Sequence, residues 1–544
     1  MGLVCGRRFV AMLLVCVAAG RVGEAAAAGK SGELAWSLKT DPKSLDPDKV
    51  DNQAAEMVRY LTGGVLLRLN RHTLQIEPAL ASSWTISRDG LLVTFHLRPG
   101  LRFSDGSPLN AAAVAASVKR VLDPATGAAV AASFLVPQGV SVETPDPLTV
   151  KVHLAKRVVS VGKLFDEIAI EPVGGGTEGR ITSGSFVVVE YERGQFLRLK
   201  RNQFYWKHDS SGTPLPYMAS IRLDILPNRE TDELRFTRGQ YQMIDGLAAE
   251  DFRHVGETNP GSVYDLGPSL NTEQIWFNQA PAAPLPAWEK AWFANRMFRV
   301  AVSQAIHRAD LVRIAYDGHA TPAKGFISPS NRDWYDSDLQ LPPQNVQTSA
   351  ATLARAGFRR SGDSLLDAEG HAVKFSILTN AGNRSREKMA ILIQRDLSAL
   401  GMEVNIVTLD FPALIERLMH TQAYECALLG LVSVDPDPSS MMNVWLSSSP
   451  NHQWNPSQKT PATEWEAEID RQMGLLAATP DDKERKRALD KVQQIVADQQ
   501  PFIYLVYPNM LYAVSPQLTG VDLTLLQPGI VSNIDWIRWK VESH

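Results

Sequence analysis

The residues of this 544-residue chain whose types and spacing could do chemistry gather in a few polar loops. Residues 433–440 read SVDPDPSS, with Asp435 and Asp437 held between prolines. Two carboxylates so spaced make either a cation-pairing lip or a rigid solvated turn. Residues 380–386 form a polar loop after a strand-like stretch, where Asn380 and Asn383 can donate and accept and Arg384 could receive a carboxylate bidentately. Asn278 offers one more amide, equally suited to a ligand or to a structural bond. Trp445, Trp454, Tyr504 and Tyr507 supply flat apolar faces with a polar edge, useful for a sugar or a peptide plane and equally for a core.

Catalytic signatures are absent from this set. The sequence has no G-x-S-x-G elbow, no H-E-x-x-H and no C-x-x-C, and its 11 histidines show no H-x-x-x-H spacing. No catalytic residue, no metal site and no cofactor is therefore expected. Of the 3 cysteines, Cys5 and Cys16 precede residue 28 and Cys426 stands alone in an apolar strand, where an inert buried thiol is the expected state.

The front end reads as a secretory signal: Arg7 and Arg8, an apolar run over residues 9–19, then alanines at 25–28. The run is too short for a membrane span, which needs about 20 apolar residues. Lipid anchoring at Cys16 is the weaker reading, because the bulky Val15 precedes it inside the apolar run. A mature chain beginning near Gly29 loses three arginines and one glutamate, which takes the formal charge from −4 to −6. That mixed acidic surface has no basic stripe, so nucleic acid is not an expected partner.

Between these sites the chain alternates strand-like and helical stretches without repeats or long linkers. In residues 80–106, Val93, Phe95 and Leu97 alternate with Thr94, His96 and Arg98 between Asp89-Gly90 and Pro99-Gly100, the pattern of a half-buried strand in a meander. Helices are expected over 111–121 and, as one long element, over 297–314; a hairpin is expected over 184–199 around Glu192-Arg193-Gly194. A helix then a strand at 403–409 follow the 380–386 loop. Thr463 and Glu466 have capping-box spacing, and Trp465, Ile469, Met473 and Leu476 share one helical face. A second helix starts at Thr479-Pro480 and ends at Pro501, and residues 502–507 are apolar enough for a central strand.

The 80–106 segment resembles the signature of the family 5 extracellular solute-binding proteins, the oligopeptide-, dipeptide- and nickel-binding components of ABC importers. Further similar strings follow in order: Ser44-Leu45-Asp46-Pro47, Gly184-Ser185-Phe186, residues 200–206 (KRNQFYW), Phe277-Asn278, residues 299–306 and Asp435-Pro436-Asp437-Pro438. The resemblance implies a two-lobed α/β periplasmic binding protein of the large, three-domain type with a ligand cleft between the lobes. The implied division is a signal at 1–28, first-lobe segments at 29–48, 178–270 and 503–544, a small inserted domain at 49–177, and a second lobe at 271–502. Crossovers are placed near 268–274 and 499–504.

The same resemblance implies capture of a peptide or peptide-like solute in the periplasm and delivery to ABC permease membrane subunits by a monomer. A non-peptide solute (a glycoside or metal chelate) and a ligand-presenting sensory receptor remain the alternatives. It brings Ser44, Leu45, Asn278, Asn380, Arg384, Leu431, Val434, Asp435, Trp445 and Tyr504 together as the expected ligand-binding set. In peptide-binding members an aspartate pairs with the ligand's α-ammonium; the aligned position here is Val434, and Leu431 stands where a pocket tryptophan is usual. A buried ammonium without a partner costs several kcal/mol, roughly. Either Asp435 takes that role or the ligand has no free amine.

Overall fold

The computed structural model describes residues 32–540 except 51, 135–136, 159, 227–228 and 434. The expectations for the signal, for Cys5 and Cys16, and for Val434 thus lie outside the described residues. The fold is mixed α/β, with three principal sheets; the two four-stranded sheets have one apolar core each and the largest sheet has one on either face.

The first lobe is built on a four-stranded sheet in the order Glu33–Leu38, Ser220–Ile225, Phe196–Arg201, Phe186–Glu192. Glu33–Leu38 runs parallel to its neighbour and the remaining pairs are antiparallel, including the expected hairpin around Gly194. Period-two alternation sends Leu34, Trp36 and Leu38 inward with Leu197, Leu199, Ile221 and Leu223. On this core the helix Gln53–Thr62 lays Ala54, Met57, Val58 and Leu61, an i, i+3, i+4, i+7 stripe. The helix thus belongs to the first lobe's core, in contrast to the expected boundary, and the small domain's core begins at Leu66.

The small domain holds the antiparallel sheet Ala81–Ile86, Leu92–Leu97, Thr149–His153, Ser141–Asp146. Val93, Phe95 and Leu97 point into its core as the alternation requires, and Gly90 takes the left-handed turn position at φ +74°. Phe95 meets Phe165 edge-on at 4.6 Å, which fixes the helix Val161–Glu167 beneath the sheet.

In the second lobe the sheet order is Met243–Asp245, Ile503–Val514, Thr272–Phe277, Cys426–Leu431, Lys374–Asn380, Glu403–Leu409, with Val263–Pro268 and Ala320–Pro322 also pairing to Ile503–Val514. Every residue of Thr272–Phe277 is buried, as a central strand with cores on both faces must be. The 12-residue strand Ile503–Val514 joins the lobes. Its start pairs with Thr272–Phe277, and its end pairs with Val263–Pro268 and Met243–Asp245. The second crossing therefore falls around 506–509, beyond the expected 499–504, beside the first crossing at 268–272.

The expected long helix over 297–314 is broken. The helix Arg296–Ala305 stops at Ile306, which is extended, because the buried Asp396 carboxylate accepts the His307 N–H at 2.8 Å and the Arg308 guanidinium folds back onto Ser303 and the Tyr504 carbonyl. Helix Glu464–Ala478 is capped by Thr463, and helix Asp482–Gln499 by Asp481, two residues later than Thr479. Among the described residues, no helix is long and apolar enough to cross a membrane.

Candidate ligand-binding site

A cavity of about 890 Å³ opens between the lobes. Each lobe contributes wall: Leu38, Met57 and Met510 from the first, Val130 and Lys163 from the small domain, Leu270 and Val432 from the second. The described lining contains no aromatic residue, histidine or cysteine. Its apolar surface is aliphatic, where Met57 and Met510 can adapt to irregular groups, and charged side chains including Lys39, Asp48, Asp166 and Asp245 are interspersed with it. Arg59 holds Glu56 through Nε at 2.6 Å and Nη2 at 2.7 Å, and its Nη1 reaches the Asp166 carbonyl at 2.9 Å. Burial raises the Glu56 carboxyl, but Arg59 more than offsets this and holds it below the usual range. Arg71 is anchored by the Gln527 carbonyl at 3.1 Å and lies 4.4 Å from the Tyr60 ring centroid.

A second cavity of about 660 Å³ continues the first past Gly246, Asn271, Val432 and Met510, which line both. Its floor is the buried pair Glu273–Arg386, bidentate at 2.8 and 3.0 Å, with Arg386 Nη1 also donating to Asn380 Oδ1 at 2.8 Å. The pair lies against Gly430, where a Cβ would come within 2.5 Å of Arg386 Nη2.

Ion pairs also bridge the cleft. Arg384 and Lys388 hold Glu250, on the helix Ala249–Thr258, at 2.7 and 3.2 Å. At the other end Lys163 pairs with Asp435, and Ser160 donates to Asp437 at 3.3 Å. Burial would lower the Lys163 ammonium, but Asp435 and Glu167 outweigh it and hold it above its ordinary range. Asp437 is anchored within its own lobe by Arg485 Nη2 at 2.7 and 2.8 Å and by the Ser439 N–H at 2.9 Å.

The structure distributes the sequence-derived set unevenly. Asn380, Arg384 and Leu431 line the second cavity, and Asp435 lies at the mouth of the first through Lys163. Ser44 caps the Asp46 N–H at 3.1 Å and Leu45 is in the first lobe's core, whereas Pro47, Asp48 and Val50 of the same segment line the cavity. Asn278 is a structural amide, donating to the Gln422 and Tyr424 carbonyls at 2.9 Å each. Trp445 is fully buried against Phe326 and Phe502, and Tyr504 is 3% exposed, so both fill the second lobe's core. Lys163, Arg71, Met57 and Met510 escape sequence reasoning: each is an ordinary residue of its element, and only the fold brings them together.

A cavity between lobes joined by two strand crossings, with polar groups on opposing walls, is the construction of a solute-binding protein. The chain belongs to the bacterial extracellular solute-binding proteins, family 5, whose sequence model matches residues 75–453. Members of this family bind peptides or similar solutes outside the cytoplasm and work with ABC permease components. The chain is similar to a probable ABC transporter-binding protein of Deinococcus radiodurans, at 24% identity over 88% of this chain and 87% of that one. It is also similar to the glutathione-binding protein GsiB of Escherichia coli, at 24% identity over 90% and 91%. Among solved structures, the ABC transporter substrate-binding protein CtaP of Listeria monocytogenes shares the fold, with a TM-score of 0.78, 21% identity, and coverage of 93% of this chain and 99% of that one.

Proposed function

We propose that this protein captures peptides or peptide-like solutes in the periplasm, as a monomer exported with loss of residues 1–28, and delivers them to the membrane subunits of an ABC importer. It carries out no chemistry on the solute. The observation that carries this reading is the cavity of about 890 Å³ with wall residues from both lobes and the small domain. Only in the closed arrangement do those walls face one solute, so binding and closure are coupled. The described lining of the first cavity has no aromatic residue or histidine, and the adjoining cavity adds only Tyr316 and His319, few platforms for a sugar or donors for a metal chelate, which supports the peptide class over the alternatives. Bonding capacity at the cavity edge, from Asn52, Gln53, Asn271 and Ser433, suits peptide amides.

A melting-temperature screen tests this. A solute at 100 times its dissociation constant adds about 2.7 kcal/mol to stability. Peptides or peptide-like solutes are expected to raise the midpoint; stabilisation confined to glycosides or metal ions would overturn the reading.

A further inference from the structure

The loop 433–440 of the second lobe and the helix Val161–Glu167 of the small domain face one another at the cavity mouth. Asp435 is 8% exposed and gives one carboxylate oxygen to the Lys163 ammonium and the other to the Asp437 N–H at 2.9 Å. Glu167, one turn after Lys163, stands 3.6 Å from the same ammonium. Lys163 and Glu167 line the cavity, so this cation looks into the space a solute would occupy. Asp437 does not compete, because Arg485 and Ser439 use its carboxylate.

We propose that Lys163 is a specificity-determining residue: its ammonium group fills the place where a solute's primary ammonium would pair with Asp435, so the cleft selects solutes whose amino end is blocked or absent. This rests on the peptide-like reading above. A solute ammonium approaching Asp435 meets a like charge already seated on a nearly buried carboxylate. To enter, it must expel Lys163 toward Glu167 and solvent, breaking one charge-assisted pair to form another. An acylated nitrogen carries no charge and needs no such exchange. The pair also ties the small domain to the second lobe by residues of the chain itself, so closure at this end needs no ammonium from the ligand.

The test uses the mature protein with Lys163→Ala and ethylammonium chloride as probe, against tetramethylammonium chloride at equal ionic strength. Ethylammonium is expected to raise the melting temperature of Lys163→Ala, but not of wild type or of Lys163→Ala/Asp435→Asn. Equal responses in the three proteins would overturn the proposal. Should Lys163→Ala not fold, Lys163→Met, which keeps the apolar stem, carries the measurement. In a second arm, one peptide pool is offered with free and with acetylated N-termini. Wild type is expected to retain the acetylated pool by about tenfold over the free one, and the Lys163 variant to lose that preference. Retention of the free pool by wild type as tightly as the acetylated one would also overturn it. If ethylammonium discriminates as expected while neither pool is retained by either protein, the Lys163 assignment stands and the peptide reading falls.

Discussion

Arg120 is the tie between the small domain and the first segment of the chain, and its removal has a calculable cost. Its Nη2 meets Asp46 at 2.5 Å, its Nε Asp48 at 2.6 Å and its Nη1 Glu171 at 2.5 Å. The side chains of Asp48 and Glu171 are 5% and 8% exposed, and Gly175, lacking a Cβ, leaves room for the guanidinium. Arg120→Met keeps much of the volume and leaves three carboxylates in one place without a cation. Breaking a buried pair by removing one partner costs about 3–5 kcal/mol, and at neutral pH the loss should fall in that range. Burial already raises the Asp48 and Glu171 carboxyls, Arg120 only partly opposing it, so both rise further in the variant. A group whose folded pKa is raised adds stability below its unfolded value and loses it as pH climbs through the folded one. The variant therefore recovers toward wild type as pH falls through the raised folded values toward the unfolded carboxyl range, about 4. Urea unfolding of both proteins at pH 7.5 and near pH 4.5, with chelator present to keep divalent cations off the three acids, reads this directly. A loss under about 1 kcal/mol at neutral pH, or one that does not shrink on acidification, would refute the reasoning.

Three further outcomes are expected. Gly430→Ala places a methyl 2.5 Å from Arg386 Nη2 and 2.8 Å from Glu273 Oε1, so it should cost about 1–3 kcal/mol in chemical denaturation; a neutral result would mean the pair is not fixed there. Glu466 is 2% exposed; burial alone would raise it, but bonds from His452, Gln458, Thr463 and Trp454 prevail and hold it at about 2. Its folded pKa is depressed, so about 3 kcal/mol present above pH 4.5 is lost as pH falls toward 2, and Glu466→Gln should flatten that part of the stability profile. Cys426 is fully buried and burial pushes its thiol up, so a disulfide reagent should modify it only as fast as the chain unfolds; rapid labelling of native protein would contradict its placement.

Much of the fold was readable because the relevant signals are local. Alternation placed Val93, Phe95 and Leu97, and capping-box spacing marked Thr463 at a helix start. Strand Glu403–Leu409 falls where the apolar pattern put it. The helix expected over 297–314 failed because its break at Ile306 comes from Asp396, 89 residues beyond the His307 whose N–H it accepts, which no local pattern reveals. The site was less legible for the same reason. Trp445, Trp454 and Tyr504 have the chemistry of ligand platforms, yet the second lobe needs large side chains to fill its core, and that need claims them. Nothing around Lys163 distinguishes it from any helix-surface lysine until loop 433–440 of another lobe is brought to it. The polar loop 380–386 was visible in the sequence as a strand end followed by asparagines and arginines, and it lines the second cavity.

The most direct measurement is the solute retained by the mature protein. Wild type and Val432→Trp would be dialysed against a mixed pool of peptides, acetylated peptides, glycosides and nickel chelates, and the bound fraction identified by mass spectrometry. Val432 is 73% exposed and lines both cavities, so tryptophan there fills the cleft without disturbing a core. Retention of peptide-class solute by wild type and its loss in Val432→Trp is the predicted result; equal retention by the two, or retention of glycoside or nickel alone, would contradict the account.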